Sequence, residues 1–366
     1  MIYLDWGYSV LTANDRIAIL LHEGTQSSRG KTGLSLLRYS DLPIVAVIDY
    51  QCAGGSLPAL TGIARNVPIV ASVAEALALQ PTVLAIGIAP SGGALPEAWR
   101  QELQQAVAGG LSIVNGLHTP MSTDPDLAPL VRPQRWIWDV RQEPTGLTVG
   151  SGQARTLPCL RVLTVGTDMS VGKMSTSLEL HNVSRQRGLR SQFLATGQTG
   201  LMLGYPGVPL DAVRIDFAAG AVEQIVMQHG GDQDILHIEG QGSLMNPAST
   251  ATLPLLRGSQ PTHLILVHRV GQTHIHNFPH VPIPPLPEVI RVYETVAAAG
   301  GAFAPVRVAG IALNTFHLLE AAAKQAIEQT QQETGLPCTD PIRFGADPLL
   351  NAILDGADTT NASITQ

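Results

Sequence analysis

The chain holds 366 residues, 45% of them hydrophobic, 14% charged and 4% aromatic, with 36 glycines and 26 prolines. At roughly 150 residues per domain this length anticipates two domains. The Ala/Val/Leu/Gly-rich composition excludes disorder, collagen and coiled coil, and it suits buried parallel strands joined by tight glycine turns. Lys and Arg number 22 against 29 Asp and Glu, a net charge of −7. No basic stripe is present, so a nucleic-acid partner is not expected. The best apolar run, 83–89, has only strand length, so no membrane span is expected either. The first residues carry Asp5 and no basic leader, which argues against a signal peptide. Three distant cysteines, Cys52, Cys159 and Cys338, form no CxxC and read as buried thiols of a cytoplasmic protein. The apolar composition also points to a homo-oligomer.

Along the chain, short apolar runs alternate with segments of helical period. Strands are predicted at 16–21, 43–49, 68–71, 82–89 and 112–115, and helices at 32–39, 73–79 and 95–108. This is a Rossmann-like array in outline. Periodicity fails over 119–158, where prolines and then glycines cluster. That stretch reads as a structured connector, with the domain boundary near 155. The pattern restarts with strands at 160–165, 191–195, 234–239, 262–268 and 306–313 and helices at 173–186, 217–229, 287–298 and 319–334. The segment 274–287 carries five prolines and reads as a long loop of the kind that covers a site.

The sharpest signal is an apolar strand running into Gly166-Thr-Asp168-Met-Ser170-Val171-Gly172-Lys173 and then into a helix. Successive backbone N–H groups in such a loop wrap a phosphate, the helix dipole faces it, and the lysine adds a point charge. Two features depart from the usual motif. The spacing is G-x5-G-K, and Met174 stands where a hydroxyl binds Mg²⁺, so Ser175 or Thr176 would have to serve instead, from a helix that starts with a shifted phase. Glu239 ends an apolar strand, where a carboxylate can hold Mg²⁺ or take part in a proton transfer.

The loop resembles the GTDxxVGKT phosphate loop of dethiobiotin synthetase and the cobyrinic-acid amidotransferase-like enzymes. Residues 238–242, IEGQG, are similar to their EGxGG strand end, whose glutamate serves Mg²⁺. Residues 310–314, GIALN, are similar to the strand whose terminal Asn reads adenine. The lysine of their KPVxTG element is absent from 194–200, LATGQTG, which puts that ligase chemistry in doubt. With Thr199-Gly200 and Asp216-Phe-Ala-Ala-Gly220, nearly the whole chain is similar to domain-of-unknown-function family 1611, which includes the DgcN-type D-glutamate N-acetyltransferases.

The resemblance implies an α/β protein with an N-terminal Rossmann-like domain (1–155) and a C-terminal P-loop NTPase-like three-layer domain (156–366) with a mostly parallel sheet. It implies a phosphate-bearing ligand, acetyl-CoA or ATP, on Gly166, Thr167, Asp168, Ser170, Val171, Gly172, Lys173, Met174, Ser175 and Asn314. A small-molecule substrate would meet Gln198, Thr199, Asp216, Gly240, Gln241 and Gly242. Lys173, Glu239 and Asp168 are the candidate catalytic residues, and Ser175 with Glu239 the candidate Mg²⁺ ligands. Three functions stay open at this point: an acetyltransferase acting on an acidic amino acid, an ATP/Mg²⁺-dependent ligase or kinase acting on a small carboxylate, and a nucleotide-binding regulator without catalysis.

Other constellations carry two readings each. Gly24-Thr-Gln-Ser-Ser-Arg-Gly30-Lys31-Thr32 repeats the G-x5-G-K spacing and is either an anion loop or a solvated turn. Residues 87–93 form either a phosphate-receiving turn, as in a coenzyme A-binding domain, or a plain βα turn. His118 is a candidate general base or a polar loop residue. His268, His274, His276 and His280 could chelate a metal, with loop packing or substrate contact the stronger reading.

Overall fold

The structure, a computed structural model, describes residues 10–88, 95 and 97–361. Its chain divides into two compact units: residues up to Glu143 together with Gln198–Ala212, and Pro144–Gly197 together with Val213 onward.

The first unit runs β1 (Ile17–Leu20), α1 (Lys31–Tyr39), β2 (Ile44–Ile48), α2 (Leu57–Thr61), β3 (Ile69–Val70), α3 (Val73–Leu77), β4 (Val83–Ile86), α4 (Arg100–Ala108), β5 (Ser112–Asn115) and β6 (Ile137–Asp139). All strand pairs are parallel, in the order β3-β2-β1-β4-β5-β6. This is the doubly wound dinucleotide-fold order, which reverses direction between β1 and β4. The strands are short and β-branched, and β1, β4 and β5 are buried along their whole length, as sheets covered on both faces require. The segment 119–158 is more than a connector, because it supplies β6. Its Asp139 is buried and accepts hydrogen bonds from Asn115 Nδ2 at 2.7 Å and from Met121 and Ser122 N at 2.9 Å. Residues 89–93, the rest of the 87–93 turn, lie outside the described residues.

The second unit opens with β7 (Leu160–Gly166), α5 (Lys173–Gln186) and β8 (Ser191–Leu194). After α6 (Gln198–Met202), which belongs to the first unit, it continues with α7 (Ile215–Gly230), β9 (Ile235–Ile238), α8 (Thr252–Ser259) and β10 (His263–Arg269). A hairpin of β11 (His274–Ile275) and β12 (Phe278–Pro282) follows, then α9 (Leu286–Ala298), β13 (Arg307–Asn314), α10 (Glu320–Thr334), β14 (Cys338–Thr339) and α11 (Asp347–Asn361). The main sheet is parallel in the order β14-β13-β10-β7-β9-β8. Val162, Val171, Leu180, Ile235, Ile265 and Val267 share one core with Leu349, Leu350 and Ile353 of α11.

One expectation changes here. Within the proline-rich 274–287 stretch, 274–282 form an antiparallel ribbon, with Asn277 at φ +67° in its turn, and 286–287 already begin α9. A two-stranded ribbon tolerates prolines because its outer edges need no ladder donors. Residues 151–153 pack with the second unit because the Glu223 carboxylate on α7 accepts from Ser151, Gly152 and Gln153 N–H. Cys159 and Cys338 are buried free thiols, whereas Cys52 is only half-buried. Among the described residues no helix is long and apolar enough to cross a membrane.

Candidate active site at the carboxyl edge of the second sheet

β7 is flanked by β9 and β10, so the loop leaving it at Gly166 stands between the strand ends that carry Glu239 and Arg269. The loop is shaped by its backbone. Ser170 sits at φ +56° and Gly172 at φ +119°, the latter a conformation that side chains other than glycine's avoid. α5 begins at the next residue. Lys173 is 5% exposed, and its Nζ donates to Asp168 O at 2.8 Å, folding the ammonium back over the loop.

Asp168 is the loop's internal clamp. One carboxylate oxygen accepts from Met169 N at 2.6 Å and Asn246 Nδ2 at 2.7 Å, the other from Gln272 Nε2 at 2.6 Å and His276 N at 2.7 Å. Burial opposes its charge, but these four donors outweigh burial and hold its pKa below the usual carboxylate range. A carboxylate so engaged is a poor proton acceptor. Its role in this geometry is to tie the hairpin and the 243–249 turn to the phosphate loop.

Glu239 behaves oppositely. It is 6% exposed, and its Oε2 accepts from Thr196 N at 2.9 Å and Gly197 N at 3.1 Å. Burial pushes its pKa up, against those two bonds and the Lys173 charge. A raised carboxylate can exchange a proton nearer neutral pH than an ordinary one.

The remaining loop residues are braced from neighbouring elements. Thr167 Oγ1 lies 2.9 Å from His268 Nδ1, Ser170 O accepts from Arg269 at 2.9 Å, and Val171 is core. Asn314 donates from Nδ2 to Val171 O at 2.8 Å and accepts from Phe316 N at 3.3 Å, so its amide supports the loop. Tyr293, wholly buried on α9, donates to Gly166 O at 2.7 Å and accepts from Leu244 N at 3.1 Å. Met174 and Ser175 lie half-buried in the first turn of α5.

Gly240 N donates to Thr164 Oγ1 at 2.9 Å, the Gln241 amide donates to Thr196 O, and Gly242 turns at φ +69°. Asp216 is exposed in the first turn of α7. Gln198 and Thr199 belong to α6 of the first unit, where Thr199 Oγ1 lies 3.3 Å from Thr32 Oγ1. Asn246, Gln272 and Tyr293 are site residues that sequence reasoning missed. Of the histidines, His268 and the backbone of His276 join the loop, while His280 is exposed on the ribbon. Among the described residues no three His, Cys, Asp or Glu side chains gather to hold a metal.

The donor set fits a phosphate: a glycine turn at a helix start, with a buried ammonium beside it. At the positions considered for Mg²⁺, Met174 offers only a soft thioether, Ser175 a half-buried hydroxyl, and Glu239 a carboxylate whose Oε2 accepts two backbone N–H groups.

Comparison with known proteins agrees with the layout. Residues 148–350 match the family model described as the domain of unknown function DUF1611_C, a P-loop domain, and residues 50–143 match DUF1611_N, a Rossmann-like domain. A crystal structure of a DUF1611 family protein from Anabaena variabilis superposes with a TM-score of 0.92 at 68% identity, covering 93% of this chain and 100% of that one. A D-glutamate N-acetyltransferase from Tritonibacter scottomollicae is 38% identical over 281 residues, and one from Pseudoalteromonas is 36% identical over 284. Each match spans 76% of this chain and 83% of the relative. The chain belongs to the DUF1611 family, with a Rossmann-like domain followed by a P-loop domain.

Proposed function

We propose that this protein is an N-acetyltransferase that moves the acetyl group of acetyl-CoA to the amine of an acidic amino acid such as D-glutamate. The observation that carries the reading is the likeness, along most of the chain, to two relatives named D-glutamate N-acetyltransferase. The site is chemically suited to it. Coenzyme A presents a pyrophosphate and a 3′-phosphate, and the Gly166–Gly172 turn with Lys173 offers N–H groups and one fixed positive charge to such a group.

In the transfer, the neutral amine attacks the thioester carbonyl, a C–N bond forms and the C–S bond breaks. The amine proton leaves, and the thiolate of coenzyme A takes up a proton as it departs. Of the two acids at this edge, Glu239 is assigned the proton, since its raised pKa keeps it basic enough, whereas the four donors on Asp168 do not. Lys173 holds phosphate and takes no proton.

Thermal-shift titration with acetyl-CoA, coenzyme A, ATP and ATP with Mg²⁺ tests the reading, on the wild type and on Lys173→Ala. Acetyl-CoA should stabilise the wild type and not the variant, and D-glutamate should then release free thiol. Removing one charge-assisted contact of about 1.5–3 kcal/mol should weaken acetyl-CoA roughly 10- to 100-fold. Stabilisation by ATP only when Mg²⁺ is present would overturn the transferase in favour of a ligase or kinase. Acetyl-CoA binding without thiol release would leave a ligand-binding regulator.

A further inference from the structure

The loop of the second unit accounts for a ligand's phosphates, but it does not hold the rest of a nucleotide. We propose that Phe316, backed by Arg269, is the base platform of this site, on which the adenine of coenzyme A stacks. The identity of the nucleotide rests on the acetyltransferase reading; the stacking of a base beside the loop does not.

The position of the ring follows from the sheet. β10 and β13 are parallel neighbours, and their last paired residues are Arg269 and Asn314. β10 also pairs with β7, whose end at Gly166 opens the phosphate loop. Phe316 thus leaves the same carboxyl edge two residues past β13, on the opposite side of the loop from β9 and Glu239. Open α/β sheets bind ligands along that edge. Two strand spacings, about 10 Å, separate β13 from β7, a gap that a nucleoside can bridge.

Two contacts join the ring to the loop. Arg269 donates to Ser170 O at 2.9 Å, and its guanidinium carbon lies 5.9 Å from the centre of the Phe316 ring. Asn314 donates to Val171 O at 2.8 Å and accepts from Phe316 N at 3.3 Å. One guanidinium and one amide therefore reach from the loop's own carbonyls to residue 316.

Phe316 is 73% exposed, while Phe193 and Tyr293 of the same unit are fully buried. Exposure by itself marks nothing, since single apolar residues often face water. What marks this ring is its company. Among the described residues the Arg269 guanidinium meets Ser170 O and the ring, and no carboxylate neutralises it. An aromatic face beside an uncompensated guanidinium suits a phosphorylated nucleoside, with the planar base on the ring and negative charge near the cation. The adenosine of coenzyme A, with its 3′-phosphate, has both. Leu319, 84% exposed three residues on, makes an apolar partner surface the competing occupant. The two differ in whether Leu319 matters.

Calorimetric titration of the full chain with coenzyme A tests the platform on wild type, Phe316→Ala, Phe316→Trp and Leu319→Ser, with melting curves and sedimentation to check folding and mass. Phe316→Ala should melt with the wild type, because the ring is exposed. It should weaken coenzyme A about 5- to 100-fold, as loss of one base stack does, while Leu319→Ser stays within about twofold. All four tryptophans precede residue 143, so Phe316→Trp gives the second unit an indole of its own. Coenzyme A should quench that indole beyond any change seen in the wild type. Unchanged affinity in Phe316→Ala, equal weakening in Leu319→Ser, or no added quenching in Phe316→Trp overturns the proposal. So does a fall in oligomeric mass in Phe316→Ala, which would assign the ring to a second copy of the chain. If the wild type takes up no coenzyme A, the acetyltransferase reading fails separately, and ADP becomes the probe. Phe316-dependent ADP binding then supports the base platform, and ADP binding that is absent or indifferent to Phe316 overturns it.

Discussion

The two glycine-lysine loops share a spacing and differ in almost everything that gives it meaning. In the second unit the acid that organises the loop lies inside it, as Asp168, and Lys173 folds back onto that residue's carbonyl. In the first unit the acid comes from the neighbouring strand, as Asp49 beyond β2, and the loop begins with Ser27 capping a short 3₁₀ turn, Ser28–Gly30. Gly172 precedes its lysine at φ +119°, whereas Gly30 does so at φ −84°. One glycine is needed for its dihedral angle and the other for a close approach. A spacing motif therefore identifies a strand-loop-helix corner, and the backbone decides whether the corner wraps a phosphate or merely presents a cation.

The largest test of this contrast is acid. Burial pushes the imidazoles of His181, His263 and His268 down to about 4 and that of His237 to about 3, all in the second unit. Each is neutral when folded and would protonate near 6.5 when unfolded. Their stability is therefore complete above about pH 6.5 and is lost as pH falls through the folded values, up to about 2 kcal/mol per ring by pH 5. Glu239, with its raised pKa, acts in the opposite sense, but it is one group against four. All four tryptophans, Trp6, Trp99, Trp136 and Trp138, precede residue 143, so their fluorescence follows the first unit alone. Hydrogen exchange in α5 and β9 should accelerate between pH 6 and 4.5 before that fluorescence shifts. The reverse order would show that the loop of the second unit does not rest on the more acid-labile sheet.

Next in size are the glycines themselves. Gly30→Ala places a methyl group 2.0 Å from a backbone oxygen and should cost about 3 kcal/mol or more in urea unfolding. Gly172→Ala meets nothing nearer than Asn314 Nδ2 at 3.6 Å, so its cost is dihedral strain, about 1–3 kcal/mol. For acetyl-CoA affinity the order should invert, with Gly172→Ala the more damaging. If Gly172→Ala proves the more destabilising of the two, the assignment of closure to one loop and dihedral strain to the other is wrong.

Much of this was legible in the sequence, for physical reasons that can be named. α5 runs over the 173–186 span expected of it because a glycine turn and an apolar strand leave little freedom in where the helix starts. Glu239 and Asn314 stand at strand ends because the apolar runs end there. What escaped depends on contacts distant in sequence. Asn246 and Gln272 reach Asp168 from a turn and from the entry to the ribbon, and single polar residues carry no periodic signal. Tyr293 shares the buried face of α9 with Leu286, Val289 and Ala297, so its burial is readable and its hydroxyl's partner is not. α11 is absent from the predicted helices, although its Leu349, Leu350 and Ile353 close the core. The return of α6 to the first unit has no local signature at all.

The smallest expected effect separates the two loops by how deeply each is braced. Tyr293→Phe keeps the buried ring and removes the hydroxyl that joins Gly166 O to Leu244 N, leaving one buried and one half-buried backbone group short of a partner. That should cost about 1–3 kcal/mol. Because the unpaired carbonyl lies at the first residue of the phosphate loop, acetyl-CoA affinity should fall in step with stability. Ser27→Ala is the counterpart in the first unit. It removes an exposed side chain that accepts from Arg29 N at 3.3 Å and donates to Glu23 O at 2.6 Å, and it should cost about 0.5–1 kcal/mol, as loss of an exposed cap does. Acetyl-CoA affinity should not move in that variant. Equal costs, or acetyl-CoA weakened by Ser27→Ala and untouched by Tyr293→Phe, would mean that internal bracing is not what distinguishes the phosphate loop from its look-alike.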